Sequence, residues 1–235
     1  MEFGEVVREP DVRLAEDMEE VILDKEWLKE NKKANLYYMY RDLWKEGDKK
    51  IILSENLRYD ITLIPPRKLG REYVKTKGHY HPEVVPGTSY PEIYEVLQGK
   101  AHYLLQKKST RIEDVVLLEA KSGDKAIIPP NYGHITINPS DEPLKMANWV
   151  DRRFDSIYED ILELGGGSYF ELVGGKFVRN PNYKVVPELR RADPAELPEF
   201  GIESGKDMYE LIQTPENLDF LSNPQNYENI FEQIL

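Results

Sequence analysis

The sequence predicts an all-β core, an antiparallel barrel or sandwich, with helical extensions at its N- and C-terminal ends. Two observations carry this prediction. Between residues 51 and 150, nine short runs rich in β-branched and aromatic side chains follow one another, each bounded by Gly, Pro, Asn, Asp or Ser. Strands this short and this closely punctuated belong to hairpins and not to βαβ units.

The elements follow in order. Residues 17–33 (DMEEVILDKEWLKENKK) mix apolar and charged side chains and read as a short helix or two, with Pro10 ahead of them. From Leu36 the texture turns to strand, with runs at 51–54, 59–64, 72–75, 93–97, 102–106, 115–119, 125–128, 134–137 and 146–150. Residues 155–164 have helical spacing and stop at Gly165-Gly166-Gly167; residues 169–173 and 176–178 then flank Gly174-Gly175 as a hairpin. Past Pro187 the composition becomes acidic, with two short helices expected around 207–213 and 227–234. The chain thus divides into a body over 1–187, N-terminal arm included, and an acidic appendage over 188–235, packed on the barrel or on a partner subunit.

Composition narrows the function. A 235-residue chain with 40% hydrophobic residues can bury one sizeable core. No apolar run approaches the ~20 residues of a membrane span, and the N-terminus is acidic from its second residue with no apolar h-region, so a cytoplasmic location is expected. Cysteine is absent, so a metal site must be built from imidazole and carboxylate. The net charge of −12 is uneven: −5 over residues 1–35, −8 over 188–235 and +1 between them. That excludes nucleic acid as a partner of the whole chain and leaves the middle free to receive a small anion such as a sugar phosphate. The acidic ends read as solvated surface.

Three of the four histidines fall into two motifs. His79 and His81 form a His-x-His pair in TKGHYHPEV, and in a strand such a pair shares one face. Glu92 follows after a ten-residue insert, PEVVPGTSYP, and six residues separate it from Gly99. The second cluster runs from Gly123 through Pro129 to His134 and Asn138. Three imidazoles and a carboxylate suit Fe, Mn, Ni, Co or Zn, with positions left open. Glu83 and Glu95 compete with Glu92 as the carboxylate, while His102 reads as a packed or surface residue. Unpaired buried imidazoles are costly, which favours a shared ion over a purely structural role for the other three.

The two clusters resemble the first and second cupin motifs in order and spacing, with Asn131 where the cupin motif carries Gly; Asn tolerates the same left-handed turn. The fold implied is a cupin barrel, a double-stranded β-helix or jelly roll. Over about residues 12–185, the run TKGHYH, PEIYEVLQGK, LLQ and IIPPNYGHITIN, preceded by RLAEDMEEVILDKEWL, resembles the cupin-type glucose-6-phosphate isomerases found mainly in archaea. The resemblance implies a metal-dependent isomerase of glycolysis and gluconeogenesis that interconverts glucose 6-phosphate and fructose 6-phosphate. It implies a homodimer with one divalent ion per subunit, Fe2+ first and Mn2+, Ni2+, Zn2+ or Co2+ otherwise, held by His79, His81, Glu92 and His134. Glu92, as ligand, base or both, and Tyr94 are the catalytic candidates. Tyr37, Thr62, Thr76, Gly78 and Tyr158 fall to the substrate, and Lys77 adds charge if it turns inward. Where the family carries a Tyr and a His after the strand KMANWV, this chain has VDRRFDSIYED, in which only Tyr158 matches and Arg152 or Arg153 stands as a phosphate partner.

Two other functions use the same site. An Fe(II) cupin dioxygenase would hold its metal on the same four residues and consume oxygen. A non-catalytic cupin would bind sugar phosphate without turnover, with its acidic appendage as a partner surface.

Overall fold

The computed structural model describes residues 1–235, and its centre is two facing, mainly antiparallel sheets. The barrel strands are β1 (Asp11–Leu14), β2 (Asn35–Tyr40), β3 (Leu57–Ile64), β4 (Glu92–Gln98), β5 (Lys100–Lys108), β6 (Ile112–Lys121), β7 (Lys125–Ile128), β8 (Tyr132–Ile137) and β9 (Leu144–Asp151). A short β10 (Arg190–Ala192) joins the appendage to the barrel. One sheet runs β7-β4-β9-β3-β2-β1 and the other β8-β5-β6-β10. From β4 onward the chain passes between sheets, with β5, β6 and β8 in one and β4, β7 and β9 in the other, which is the wrapping of a double-stranded β-helix.

Period-two alternation sorts the side chains. Tyr94, Val96, Met146 and Ile64 face between the sheets in a core of 30 buried residues. Ile93, Ala147, Trp149, Tyr59 and Ile61 face outward, into a second buried cluster of 19 residues. The appendage covers that outer face. Trp149 lies with its ring 4.8 Å from Tyr59 and 5.6 Å from Tyr209, and its Nε1 donates to the Met208 carbonyl at 3.1 Å. Residues after 188 therefore pack on the barrel of their own chain.

Several expectations are corrected. Residues 51–54 belong to a helix, Lys49–Ser54, with Ile52 buried on one side: two adjacent isoleucines suggested a strand, but a single buried face suffices for a one-turn helix. Strands β1 and β2 were not foreseen: β1 alternates but is only four residues long, and β2 does not alternate in hydrophobicity. The helix expected over 155–164 shrinks to Glu159–Glu163, since Ile157 is drawn into backbone pairing with Tyr80. In the appendage, Pro215 and Pro224 break the chain into 3-10 turns, Met208–Gln213, Pro215–Leu221 and Pro224–Asn226, before a short helix, Glu228–Phe231. No helix is long and apolar enough to cross a membrane.

Candidate metal centre

The site rests on strand register. Across the inner face of the larger sheet, Glu92 stands opposite Val150 and Val150 opposite Arg58; one pleat along, Tyr94, Asn148 and Asp60 line up, then Met146, Thr62 and Met39. The other sheet supplies His134 from β8. The His-x-His segment is not a regular strand. His79 instead makes one antiparallel bridge to His134, with main-chain hydrogen bonds of 3.2 and 3.0 Å, which brings the two rings to 4.4 Å. Gly78 makes the approach possible: its φ is +82°, and a Cβ there would lie 2.5 Å from Ile135 Cγ1.

The four side chains converge. His79 Nε2 lies 3.1 Å from His81 Nε2, and Glu92 Oε2 lies 3.4 Å from His81 Nε2 and 3.3 Å from His134 Nε2. One donor atom from each residue falls within 4.8 Å of all the others. Atoms about 2.0–2.2 Å from one ion sit about 3 Å apart, so the spacing fits a shared cation. Glu92 Oε2 has no hydrogen-bond partner although it is buried, and an acceptor-only oxygen facing imidazole nitrogens is costly unless something positive joins them. Burial drives the His79 pKa well below its ordinary value, reinforced by the His134 and His81 charges. Burial also lowers His134, against the pull of Glu92. Burial pushes the Glu92 carboxyl up, but the facing imidazoles of His134 and His81 prevail and hold it well below the usual carboxylate range. His79 and His134 thus resist protonation beside an anion, the state that metal ligation requires.

The rival carboxylates are elsewhere. Glu83 is exposed on the hairpin of the insert. Glu95 points outward, to Lys125 Nζ at 3.2 Å and the Met208 N–H at 2.9 Å. His102 pairs with Glu171 at 2.8 Å, away from the site. The insert itself folds as a hairpin, Glu83–Val85 with Thr88–Ser89, docked on Asn131. At φ 69°, Asn131 accepts from the Ser89 N–H, donates its amide to the Gly87 carbonyl and donates its N–H to Ser89 Oγ. The insert ends by placing the Tyr90 carbonyl 2.9 Å from His81 Nδ1.

Around the four residues opens a cavity of about 390 Å³. Tyr37, Thr62, Thr76, Lys77, Gly78 and Tyr158, singled out for substrate, line it together with Tyr94. The Tyr37 hydroxyl accepts the Lys77 N–H at 3.3 Å, and Lys77 Nζ lies 5.7 Å from the centre of the Tyr158 ring. Tyr94 Oη is 3.2 Å from His134 Nε2, and burial raises its pKa well above the ordinary value, with the Glu92 charge adding to the effect.

A family model described as glucose-6-phosphate isomerase matches residues 12–188. The chain belongs to the glucose-6-phosphate isomerase family. Among its relatives, the glucose-6-phosphate isomerase of Thermococcus litoralis is 30% identical over 178 residues, covering 74% of this chain and 86% of that one. That of Pyrococcus abyssi is 31% identical over 180 residues, covering 74% and 87%. The appendage after residue 188 lies beyond the matched stretch.

Within this family member, the pocket differs from the expectation at one end. Arg152 pairs with Asp42 at 3.1 Å and Arg153 with Asp151 at 2.5 Å; neither lines the cavity. Asp151 takes the Arg153 guanidinium and Asp42 takes Arg152 Nη2, while Arg152 Nη1 is buried without a partner. The cavity cations are instead Lys77, Arg41 and Arg58. Arg58 and Asp60 went unnoticed because nothing in LRYDITLI marks them; only the i, i+2 register beside Glu92 does. Phe154, also unforeseen, packs 4.6 Å from the His81 ring and 4.7 Å from the Tyr90 ring.

Proposed function

We propose that this chain is a metal-dependent aldose–ketose isomerase that interconverts glucose 6-phosphate and fructose 6-phosphate. The observation that carries the reading is the convergence of His79, His81, Glu92 and His134 at one wall of a cavity whose other walls are lined with hydroxyl and amino donors. Those four residues would hold one divalent ion, for which the N/O donor set suits Fe2+, Mn2+, Ni2+, Zn2+ or Co2+, with Fe2+ placed first by the family resemblance. When bound, it polarises the C1 and C2 oxygens of the open-chain sugar and offsets the negative charge that develops between them.

The chain's own groups do the rest. Thr62, Thr76 and Tyr37 donate hydroxyl hydrogen bonds to the phosphate, the Gly78 turn brings backbone close to it, and Lys77 adds a positive charge. Tyr158 lines the sugar. Tyr94 keeps its proton and donates it in a hydrogen bond to a sugar oxygen beside His134. Glu92, an anion at neutral pH, serves as ligand and takes or returns the proton of the transferred hydrogen. Two further parts of the reading rest on the family: the place of work is glycolysis and gluconeogenesis in the cytoplasm, and the assembly is a homodimer, for which the open edge of β1 offers a surface.

The test is a coupled assay of fructose 6-phosphate turnover on metal-stripped and metal-reloaded protein. Chelation abolishes turnover and Fe2+ or Mn2+ restores it; Glu92→Gln loses nearly all of it. Full activity after exhaustive chelation, or in Glu92→Gln, ends this reading.

A further inference from the structure

Two segments touch His81 from outside the ligand set, and the appendage stands behind both. Phe154 packs against the His81 ring at 4.6 Å, and Tyr90 places its carbonyl 2.9 Å from His81 Nδ1. The Phe154 and Tyr90 rings stack on each other, 4.7 Å apart and 21° from parallel. The guanidinium carbon of Arg153 lies 5.9 Å from the centre of the Tyr90 ring.

Arg153 is fixed in turn by Asp151, the last residue of β9. Asp151 is 1% exposed, and a carboxylate that deep needs both charge and hydrogen bonds around it. Its Oδ1 accepts from the Arg153 main-chain N–H at 2.8 Å and from Nε at 3.0 Å, while Oδ2 accepts from Nη2 at 2.5 Å. The main-chain bond closes a turn of the kind aspartate favours, and that turn sets the direction in which the chain leaves β9 toward Phe154. The other donor to Oδ2 comes from the appendage: Ser222 Oγ, at 2.6 Å. Two residues further on, the turn Pro224–Asn226 packs against Thr88–Ser89 of the insert hairpin that leads into Tyr90. The appendage therefore braces the Phe154 side and the Tyr90 side of one histidine. Ser222 and Pro224 lie beyond the stretch matched to the family.

We infer that Ser222 is a positioning residue for the metal centre: through Asp151 and Arg153 it sets Phe154 and Tyr90 against His81, and so fixes the angle at which His81 Nε2 meets the ion. The inference rests on the metal reading given above. Loss of the hydroxyl leaves a buried oxygen of Asp151 one donor short. The carboxylate then turns toward the opening of about 120 Å³ that Arg153 and Ser222 share, Arg153 follows, and the stacked rings lose their backing. The competing role is a fastening that keeps the appendage on the barrel, which would change stability alone.

Two readouts on the full-length chain separate these roles. The first is Mn2+ affinity by competition against a chelator. Ser222→Ala weakens it about 3- to 10-fold, at or under the low end of what losing a partner behind a ligand costs, and Ser222→Thr, which keeps the hydroxyl, restores it. The second is the NMR spectrum of the histidine ring carbons in metal-free protein. Ser222→Ala shifts the His81 signal and leaves that of His102, held by Glu171, where it was. Ile212→Val is the control: it thins the buried apolar contact of the same appendage, lowers the unfolding midpoint and moves neither readout. An Mn2+ affinity or a His81 signal unchanged in Ser222→Ala, or equal losses of affinity in Ser222→Ala and Ile212→Val, makes Ser222 a fastening and overturns the inference. A wild type that takes no Mn2+ from the chelator is a different result, which removes the metal reading itself and this inference with it.

Discussion

The Nδ1 atom of His81 lies 2.9 Å from the carbonyl oxygen of Tyr90. The carbonyl can only accept, so Nδ1 carries the proton and the Nε2 lone pair faces the other ligands. Tyr90 is the ninth residue of the insert that lengthens the first motif, and the insert is held by Asn131, where the second motif departs from Gly. The two departures are thus one device. Asn131→Gly keeps the left-handed turn and removes the amide contacts. It should weaken metal binding about 10-fold or more, measured by competition against a chelator, with circular dichroism unchanged. Unaltered affinity would mean that the insert does not orient His81.

Removing the metal should also cost stability. An ion at a thousand times its dissociation constant adds about 4 kcal/mol to the folded state. Differential scanning calorimetry of stripped and reloaded protein should show a higher midpoint after reloading, and His134→Ala should abolish the difference. Identical midpoints would argue that no ion joins the four side chains.

Acid should destabilise the metal-free protein. His79 and His134 have folded pKa values below the ordinary 6.5, so as pH falls through that value the unfolded chain takes up protons the native one refuses. Each such proton contributes a slope of up to about 1.4 kcal/mol per pH unit. Glu92, held below 4.5, acts in the same direction at lower pH. Urea titrations of the stripped protein between pH 7 and 5 should show falling stability, and a flat profile would contradict the neutral-imidazole assignment.

Gly78→Ala meets two obstacles at once, a φ of +82° and a Cβ 2.5 Å from Ile135 Cγ1. It should cost about 1–3 kcal/mol and shift the His79 bridge. Turnover should fall further than that stability loss explains, and normal kinetics in the variant would show that the turn is not strained by a side chain.

On the outer face, Trp149→Ala should cost about 3–5 kcal/mol, since the indole is fully buried between the barrel and the appendage. A denaturant midpoint close to the wild type would mean that the appendage contributes little to the barrel.

The convergence of His79, His81, Glu92 and His134 was legible in the sequence because imidazole and carboxylate at cupin spacing have few other uses in a chain without cysteine. The strand runs from 93 to 150 were legible for a similar reason: alternation and turn residues agree. The unread parts depend on partners. Asn35–Tyr40 becomes a strand by pairing with β1 and β3, and Ile51 and Ile52 a helix because one side finds a core. Whether an arginine faces a cavity or a carboxylate, as with Arg58 against Arg152 and Arg153, is settled by register across strands and not by neighbours in the chain.

Strand β4 carries two carboxylates three residues apart, Glu92 turned to the imidazoles and Glu95 to Lys125 on the opposite face. Sliding this strand by a single residue would exchange its faces, setting Ile93 against the histidines and stranding both acids without their bases. Each misaligned pairing would bury uncompensated charge, so the electrostatics of one strand reject the wrong alignments while the barrel is closing, and catalytic geometry and correct assembly become a single requirement.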